Sequence, residues 1–233
     1  MTRLKLCALS AAPIAAGLLA VWLGLTRVAA ADLPPLHTGD LVFQNMGGPQ
    51  GAAITLASDS VYTHVGLIDV DDKGRARVVE AVGPVRTTPL SAWIGQGLGG
   101  RITVKRMAGL SARQAKQAIA AAHVYDGRPY DFYFYKGRDE IYCSELVYLA
   151  FKEGPGLAIG SVQHVRDLNL DNAPARALIE ARWRDYPGCI EAKAADLKAC
   201  TKIIMDETLV TPASLARDPK LTMIYTNFGA AAE

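Results

Sequence analysis

Beyond the N-terminal segment, the first half of the chain has the pattern of short strands, and the two-residue alternation is seen at residues 62–67. β-Branched and aromatic residues are grouped in runs that end at Gly, Pro, Asn or Asp, which is typical of strands between tight turns. The pattern predicts strands at residues 39–44, 62–70, 77–82 and 101–107, with the second and third joined as a hairpin.

Helix-forming runs are more frequent in the second half, and Ser111 is a suitable N-cap for the most regular of them. The pattern predicts helices at residues 50–57, 88–94, 111–123, 143–152, 173–183 and 190–205, and a last strand at 221–228. Early strands and late helices, without regular strand–helix alternation, favour an α+β fold over a doubly wound sheet.

The N-terminal segment has the layout of an export signal. Basic residues come first, residues 6–26 are uncharged and largely apolar, and the small residues Val28 and Ala30 follow Arg27. The apolar stretch is also long enough to cross a bilayer, so a retained membrane anchor stays open as an alternative. A buried core helix is disfavoured by Pro13 within the stretch.

Composition and charge narrow the class of protein. The chain has 233 residues, half of them hydrophobic, which suits one globular domain and excludes a disordered chain. The net charge of +2 depends on the basic residues of the first 30 positions. Because the remainder has no basic excess and no Lys/Arg run, we expect no nucleic-acid partner.

Cysteine spacing predicts one disulfide and one thiol that needs an explanation. Cys189 and Cys200 lie eleven residues apart and are natural partners in an oxidising compartment, the alternative being two free thiols. A continuous helix would separate them by about 16 Å, so a bridge requires the segment to bend. Cys7 lies in the N-terminal segment, and Cys143 is left alone.

Cys143 has the setting of a nucleophile. It follows Tyr142 and opens the helical run at 143–152, where unpaired N–H groups and the helix dipole favour a thiolate. The same cysteine shares an apolar helical face with Leu146 and Val147, so a simple buried cysteine is the competing interpretation.

His64 and Glu80 are the other candidates for this chemistry. The strand alternation places Tyr62, His64 and Gly66 on one face of the sheet, and Glu80 ends the neighbouring strand. A carboxylate there would fix the imidazole tautomer, and the three residues would form a nucleophile, a base and an orienting group. Taken alone, His64 and Glu80 are also typical of ordinary strand residues.

Five ordered blocks carry a resemblance to a known family. They are GDLVF at 39–43, THVGLI at 63–68, VVEAV at 78–82, TTPLSAW at 87–93 and YCSELVY at 142–148. This order resembles the YiiX/YebB-like group of NlpC-type cysteine hydrolases, circularly permuted members of the papain-like superfamily in which histidine precedes cysteine. The resemblance implies that Cys143 is the nucleophile, His64 the base and Glu80 the third triad member.

The resemblance also implies a fold, and the residue patterns outside it divide the chain. A small antiparallel sheet or barrel should pack on the cysteine-bearing helix, with the site between them. Residues 1–30 would be the signal peptide or anchor, 31–166 the hydrolase core and 167–233 a helical extension. Tyr142 and Asp40 are candidate supporting residues, although Asp40 is equally suited to fixing a turn.

The expected function is that of an exported, periplasmic or envelope-associated thiol hydrolase that cleaves an amide bond, with peptidoglycan peptides as the first candidate substrate. Related permuted enzymes act on lipid acyl groups, and the aromatic segment at 130–135, which includes Phe132 and Phe134, would suit an apolar cleft or ordinary packing. A third alternative is a cleft that binds amides or fatty acids without turnover. His and Cys residues are too dispersed for metal-ligand spacing, so no metal or other cofactor is expected.

Overall fold

The fold is built on one antiparallel sheet. The computed structural model describes residues 33–135, 137 and 139–229. Within these residues six strands form a sheet in the order β4-β3-β2-β1-β5-β8, and two short strands, β6 and β7, pair separately. The bounds are β1 (Leu41–Gln44), β2 (His64–Val70), β3 (Ala76–Ala81), β4 (Val85–Pro89), β5 (Ile102–Met107), β6 (Gln163–His164), β7 (Thr208–Leu209) and β8 (Leu221–Thr226).

Helices cover the sheet and extend from it, which confirms the α+β prediction. Their bounds are α1 (Gly48–Ser58), α2 (Leu90–Gln96), α3 (Ala112–His123), α4 (Cys143–Glu153), α5 (Ala173–Arg182), α6 (Pro187–Glu191), α7 (Leu197–Asp206) and α8 (Pro212–Ala216). At the start of α3, Ser111 and Gln114 form a reciprocal capping box, so the predicted N-cap is present.

Strand alternation distributes the apolar side chains over two cores. On one face of the sheet, Leu67 and Val79 pack in a cluster with Leu146 and Phe151 of α4. On the other face, Ile68 and Val78 pack against α2, whose Trp93 is fully buried. Burial on both sides makes the register of β2 and β3 strongly specified, because a slip of one residue would exchange the two faces.

Two local predictions were wrong in detail. The predicted helix at 88–94 begins only at Leu90, because Thr88 and Pro89 are paired in β4 with β3. Tyr62 precedes β2 and packs with Phe43 in the cluster beneath α4, so the predicted alternation with His64 stops at the strand start.

The predicted helix at 190–205 is interrupted, as a local disulfide requires. Cys189 in α6 is bonded to Cys200 in α7, with their Cα atoms 5.2 Å apart. The chain turns between the two helices, and Lys193 adopts a left-handed conformation with φ of 51° in that turn. The turn brings together two cysteines that a continuous helix would have held apart.

The residues beyond 166 contribute to the same body as those before it. β8 pairs with β5 at the edge of the central sheet, and α5 packs on α1. No helix among the described residues is long and apolar enough to cross a membrane. The predicted signal or anchor at 1–30 lies outside the described residues.

Candidate active site

Cys143 lies at the N-terminus of α4 with 3% of its surface exposed. Its sulfur accepts hydrogen bonds from the backbone N–H groups of Ser144 and Val65. The first N–H groups of a helix have no partner within the helix and carry partial positive charge. The end of α4 therefore stabilises negative charge on the sulfur.

His64 links this sulfur to a carboxylate. The imidazole is the first residue of β2, is buried, and its Nε2 lies 2.7 Å from Oε2 of Glu80. A second hydrogen bond joins His64 to the Cys143 side chain, and Nδ1 is the nitrogen left for it. The ring stacks on Trp93 of α2, with centroids 5.8 Å apart, so the imidazole is held on its face and at both nitrogens.

Glu80 is fully buried in β3 and its carboxylate has donors on both oxygens. The Thr88 hydroxyl donates to Oε1 at 2.6 Å, and the Arg86 guanidinium lies 3.5 Å from the same oxygen. Gly66 makes the approach of β3 to β2 possible, since a Cβ at that position would overlap Cγ1 of Val78. The structure thus brings together the three residues predicted for the site.

The electrostatics of the three groups favour a thiolate–imidazolium pair. Burial alone would raise the pKa of Cys143, but the hydrogen bond and charge of His64 lower it below its ordinary value. Burial opposes the charged form of His64, yet the hydrogen bonds to Cys143 and Glu80 raise its pKa from 6.5 to about 9. Desolvation alone would raise the pKa of Glu80, but the contacts with His64, Thr88 and Arg86 together lower it.

Tyr130 is a functional candidate that the sequence analysis did not single out. Its hydroxyl is hydrogen-bonded to the Cys143 side chain, and burial together with the neighbouring Cys143 raises the pKa of Tyr130 well above its ordinary value. A phenol that keeps its proton is a donor beside the sulfur. The aromatic segment at 130–135 was a visible signal, but only a backbone bridge between Tyr130 and Ile141 places this hydroxyl next to α4.

The two predicted supporting residues lie in different places. Tyr142 is the N-cap residue of α4, and its hydroxyl accepts a hydrogen bond from the Val210 N–H at 3.1 Å. Asp40 lies before β1, at the end opposite the Gln44–His64 pair. Its two carboxylate oxygens accept from Arg106 at 2.7 and 2.8 Å, so Asp40 ties β1 to β5 away from the sulfur.

An apolar cavity of about 140 Å³ opens beside Cys143. Its walls come from α1, the 130–135 segment, α5, the residues after α5, and the chain around β7; they include Ala57, Leu178, Ile179, Trp183, Leu209 and Val210. Apart from the Cys143 thiolate, Arg182 carries the only charge among the described residues that line it. Phe132 and Phe134 both contribute to the wall, so the predicted cleft role of the aromatic segment has a structural counterpart.

Comparison with known proteins identifies the family of this site. A family model described as the permuted papain-like amidase enzyme, YaeF/YiiX, C92 family, matches residues 35–225. The chain belongs to this permuted papain-like amidase family. The match confirms the group predicted from the five sequence blocks, and it continues well past residue 166.

Two relatives share most of their length with this chain. The uncharacterized protein YiiX of Escherichia coli strain K12 is 33% identical over 189 residues, which cover 81% of this chain and 85% of YiiX. A crystal structure described as metalloprotein YiiX from Escherichia coli O157:H7 superposes with a TM-score of 0.72 at 32% identity, covering 83% of this chain and 98% of that one.

The description of that relative as a metalloprotein raises the question of metal ligands in this chain. Within the described part of the chain, no group of three or more His, Cys, Asp or Glu side chains is arranged so that it could hold a metal ion. Cys143, His64 and Glu80 are already engaged with one another. The described residues therefore do not fit the three- or four-ligand site that zinc requires.

Proposed function

We propose that the protein is an exported cysteine amidase that cleaves a carbon–nitrogen bond through a Cys143–His64–Glu80 triad. The observation that carries the proposal is the continuous hydrogen-bonded chain from the sulfur through the imidazole to the buried carboxylate. Nucleophile, base and orienting group stand in contact, which is what thiol-based acyl transfer needs.

Each step has a residue to perform it. The Cys143 thiolate attacks the carbonyl carbon, and the negative charge that develops on oxygen is met by the Tyr130 hydroxyl and the N–H groups at the start of α4. His64 gives its Nδ1 proton to the leaving nitrogen as the carbon–nitrogen bond breaks. Water, deprotonated by the same nitrogen, then hydrolyses the thioester and regenerates the thiol.

Export is supported by two features of the chain. The N-terminal 30 residues have the layout of a signal or membrane anchor, and the Cys189–Cys200 disulfide suits an oxidising compartment. Amide bonds of peptidoglycan peptides are the first substrates expected in the periplasm or envelope.

The cavity favours a second candidate function, the hydrolysis or transfer of a lipid acyl group. Peptidoglycan peptides are polar, whereas the space beside Cys143 is walled by aliphatic and aromatic side chains. Its volume of about 140 Å³ is close to the roughly 150 Å³ apolar cavity that accommodates benzene in an engineered protein. It therefore suits part of an apolar acyl chain attached to the scissile carbonyl.

One assay series tests both functions. The full chain is offered peptidoglycan sacculi, a long-chain acyl p-nitroanilide and its acetyl counterpart, with Cys143→Ala as the inactive reference. We expect turnover by the wild type and none by Cys143→Ala, because the thioester cannot form. Preference for the long-chain anilide supports the lipid function, and release of soluble muropeptides supports the peptidoglycan function. Equal turnover by the Ala variant would overturn the mechanism.

A further inference from the structure

A line of polar side chains connects the wall of the cavity with the nucleophile. Arg182, the last residue of α5, donates from Nη2 to Oε1 of Gln50 at 2.9 Å. Gln50, in the first turn of α1, donates from Nε2 to the Tyr130 hydroxyl at 3.5 Å. The Tyr130 hydroxyl is in turn hydrogen-bonded to Cys143.

The order of donors and acceptors along this line is determined by chemistry. A guanidinium has only donors, so it selects the oxygen of the Gln50 amide. The amide nitrogen, which can only donate hydrogen bonds, is then turned toward Tyr130. A phenol oxygen that accepts from Gln50 keeps its own proton for the sulfur or for the oxyanion.

Arg182 is itself held firmly at the cavity. Its Nη1 donates to the backbone oxygen of Phe132 at 2.6 Å, and the guanidinium lies 5.9 Å from the centroid of the Phe132 ring. The side chain thereby ties α5 to α1 and to the segment that bears Tyr130. Burial in this setting lowers the pKa of Arg182, although a guanidinium stays charged at neutral pH.

We propose that Gln50 and Arg182 are positioning residues that orient the Tyr130 hydroxyl as a donor to the Cys143 sulfur and to the oxyanion. The inference rests on the proposed function, in which Cys143 attacks a carbonyl. Because α5 supplies both Arg182 and part of the cavity wall, the helix that lines the cavity beside Cys143 also orients the hydrogen-bond donor.

The test reverses the direction of the hydrogen bond between residue 50 and the Tyr130 hydroxyl. Gln50→Glu keeps an oxygen for Arg182 but presents a second oxygen to Tyr130, so that the phenol donates to the carboxylate and turns away from the sulfur. Gln117→Glu, the same change on the exposed surface of α3, is the control. Alkylation of Cys143 by iodoacetamide is followed against pH in the full chain. In parallel, kcat and KM are measured with whichever of the two acyl p-nitroanilides the wild type hydrolyses faster.

We expect Gln50→Glu to slow alkylation at neutral pH about tenfold, the value of one hydrogen bond to a charged group. The fall in turnover should appear in kcat with KM little changed, because the oxyanion exists only after attack. Arg182→Met should act in the same direction, and it serves as the second variant if Gln50→Glu does not fold by circular dichroism.

Tyr130→Phe, measured in parallel, distinguishes the donor role of Tyr130 from the positioning role of Gln50 and Arg182. If it slows alkylation and turnover while Gln50→Glu and Arg182→Met behave like Gln117→Glu, the positioning role is overturned and the Tyr130 donor stands. If Tyr130→Phe also leaves both unchanged, the oxyanion role in the proposed function fails as well. An unreactive Cys143 in the wild type would contradict the proposed function itself.

Discussion

The substitution Glu80→Gln tests the electrostatic core of the proposed mechanism, because it removes one charge and keeps the shape. The carboxylate is fully buried and contacts His64 at 2.7 Å and Thr88 at 2.6 Å. A glutamine can still accept from the imidazole through its oxygen, while its amide donates to the Thr88 hydroxyl, which accepts equally well. The packing of β3 should therefore be preserved.

The expected loss of Cys143 reactivity in Glu80→Gln follows from the protonation of His64. Its pKa rises from 6.5 to about 9, which corresponds to about 3 kcal/mol in favour of the imidazolium. Cys143 and Glu80 together overcome the opposing effect of desolvation, so loss of the Glu80 charge should remove a substantial part of this rise, on the order of 1 to 2 kcal/mol. We expect Cys143 to be alkylated roughly tenfold more slowly at neutral pH.

The assay is the pH profile of iodoacetamide labelling, with label mapped to Cys143 and the exposed Glu180→Gln as the matched control. In Glu80→Gln the labelling midpoint should move to higher pH, because the imidazolium that stabilises the thiolate is weakened. The alkaline limb of turnover should move to lower pH, because His64 loses its proton earlier. A profile that coincides with that of Glu180→Gln would refute the assignment of Glu80 as the orienting group.

Three further predictions address the pH range, the cavity and the disulfide. Wild-type turnover should be bell-shaped: it falls at acid pH, where Cys143 is protonated despite its lowered pKa, and above a pH of about 9, where His64 loses the proton that the leaving nitrogen needs; a flat alkaline limb would contradict this role. Leu178→Trp should obstruct the cavity and reduce turnover of the long-chain anilide at least tenfold without changing Cys143 alkylation, a result that Val124→Trp, on an exposed surface, should not reproduce. Cys189→Ala with Cys200→Ala should lower the free energy of unfolding by about 2–3 kcal/mol in urea titrations, since the bridge closes a short loop, and an unchanged midpoint would count against a stabilising bridge.

Much of the secondary structure follows from local patterns. The strands that carry His64 and Glu80, the helix that begins at Cys143 and the Ser111 cap are all predicted from the residues themselves. The errors lie where neighbours overrule local preference. Thr88 and Pro89 pair with β3, and the cysteine-rich segment breaks into two helices around its disulfide.

The contacts around the sulfur show where local patterns stop being sufficient. Within an aromatic run, the sequence does not distinguish a tyrosine that lines a cavity from one that donates a hydrogen bond to the nucleophile. Tyr130 was therefore not predicted as a site residue. Gln50 and Arg182 are separated by 132 positions, and neither belongs to a motif that would suggest a pair. Their meeting depends on how α5 packs on α1.

The family, the α+β class and the residues predicted to form the triad could be predicted from local patterns, because strand alternation, helix N-termini and short ordered motifs are properties of neighbouring positions. Three features depend on the tertiary structure: Tyr130 faces the sulfur, Asp40 pairs with Arg106, and α5 and α7 help to enclose an apolar cavity. Those outcomes depend on burial and on long-range packing, and the free energy of such contacts is a property of the assembled core rather than of any single segment.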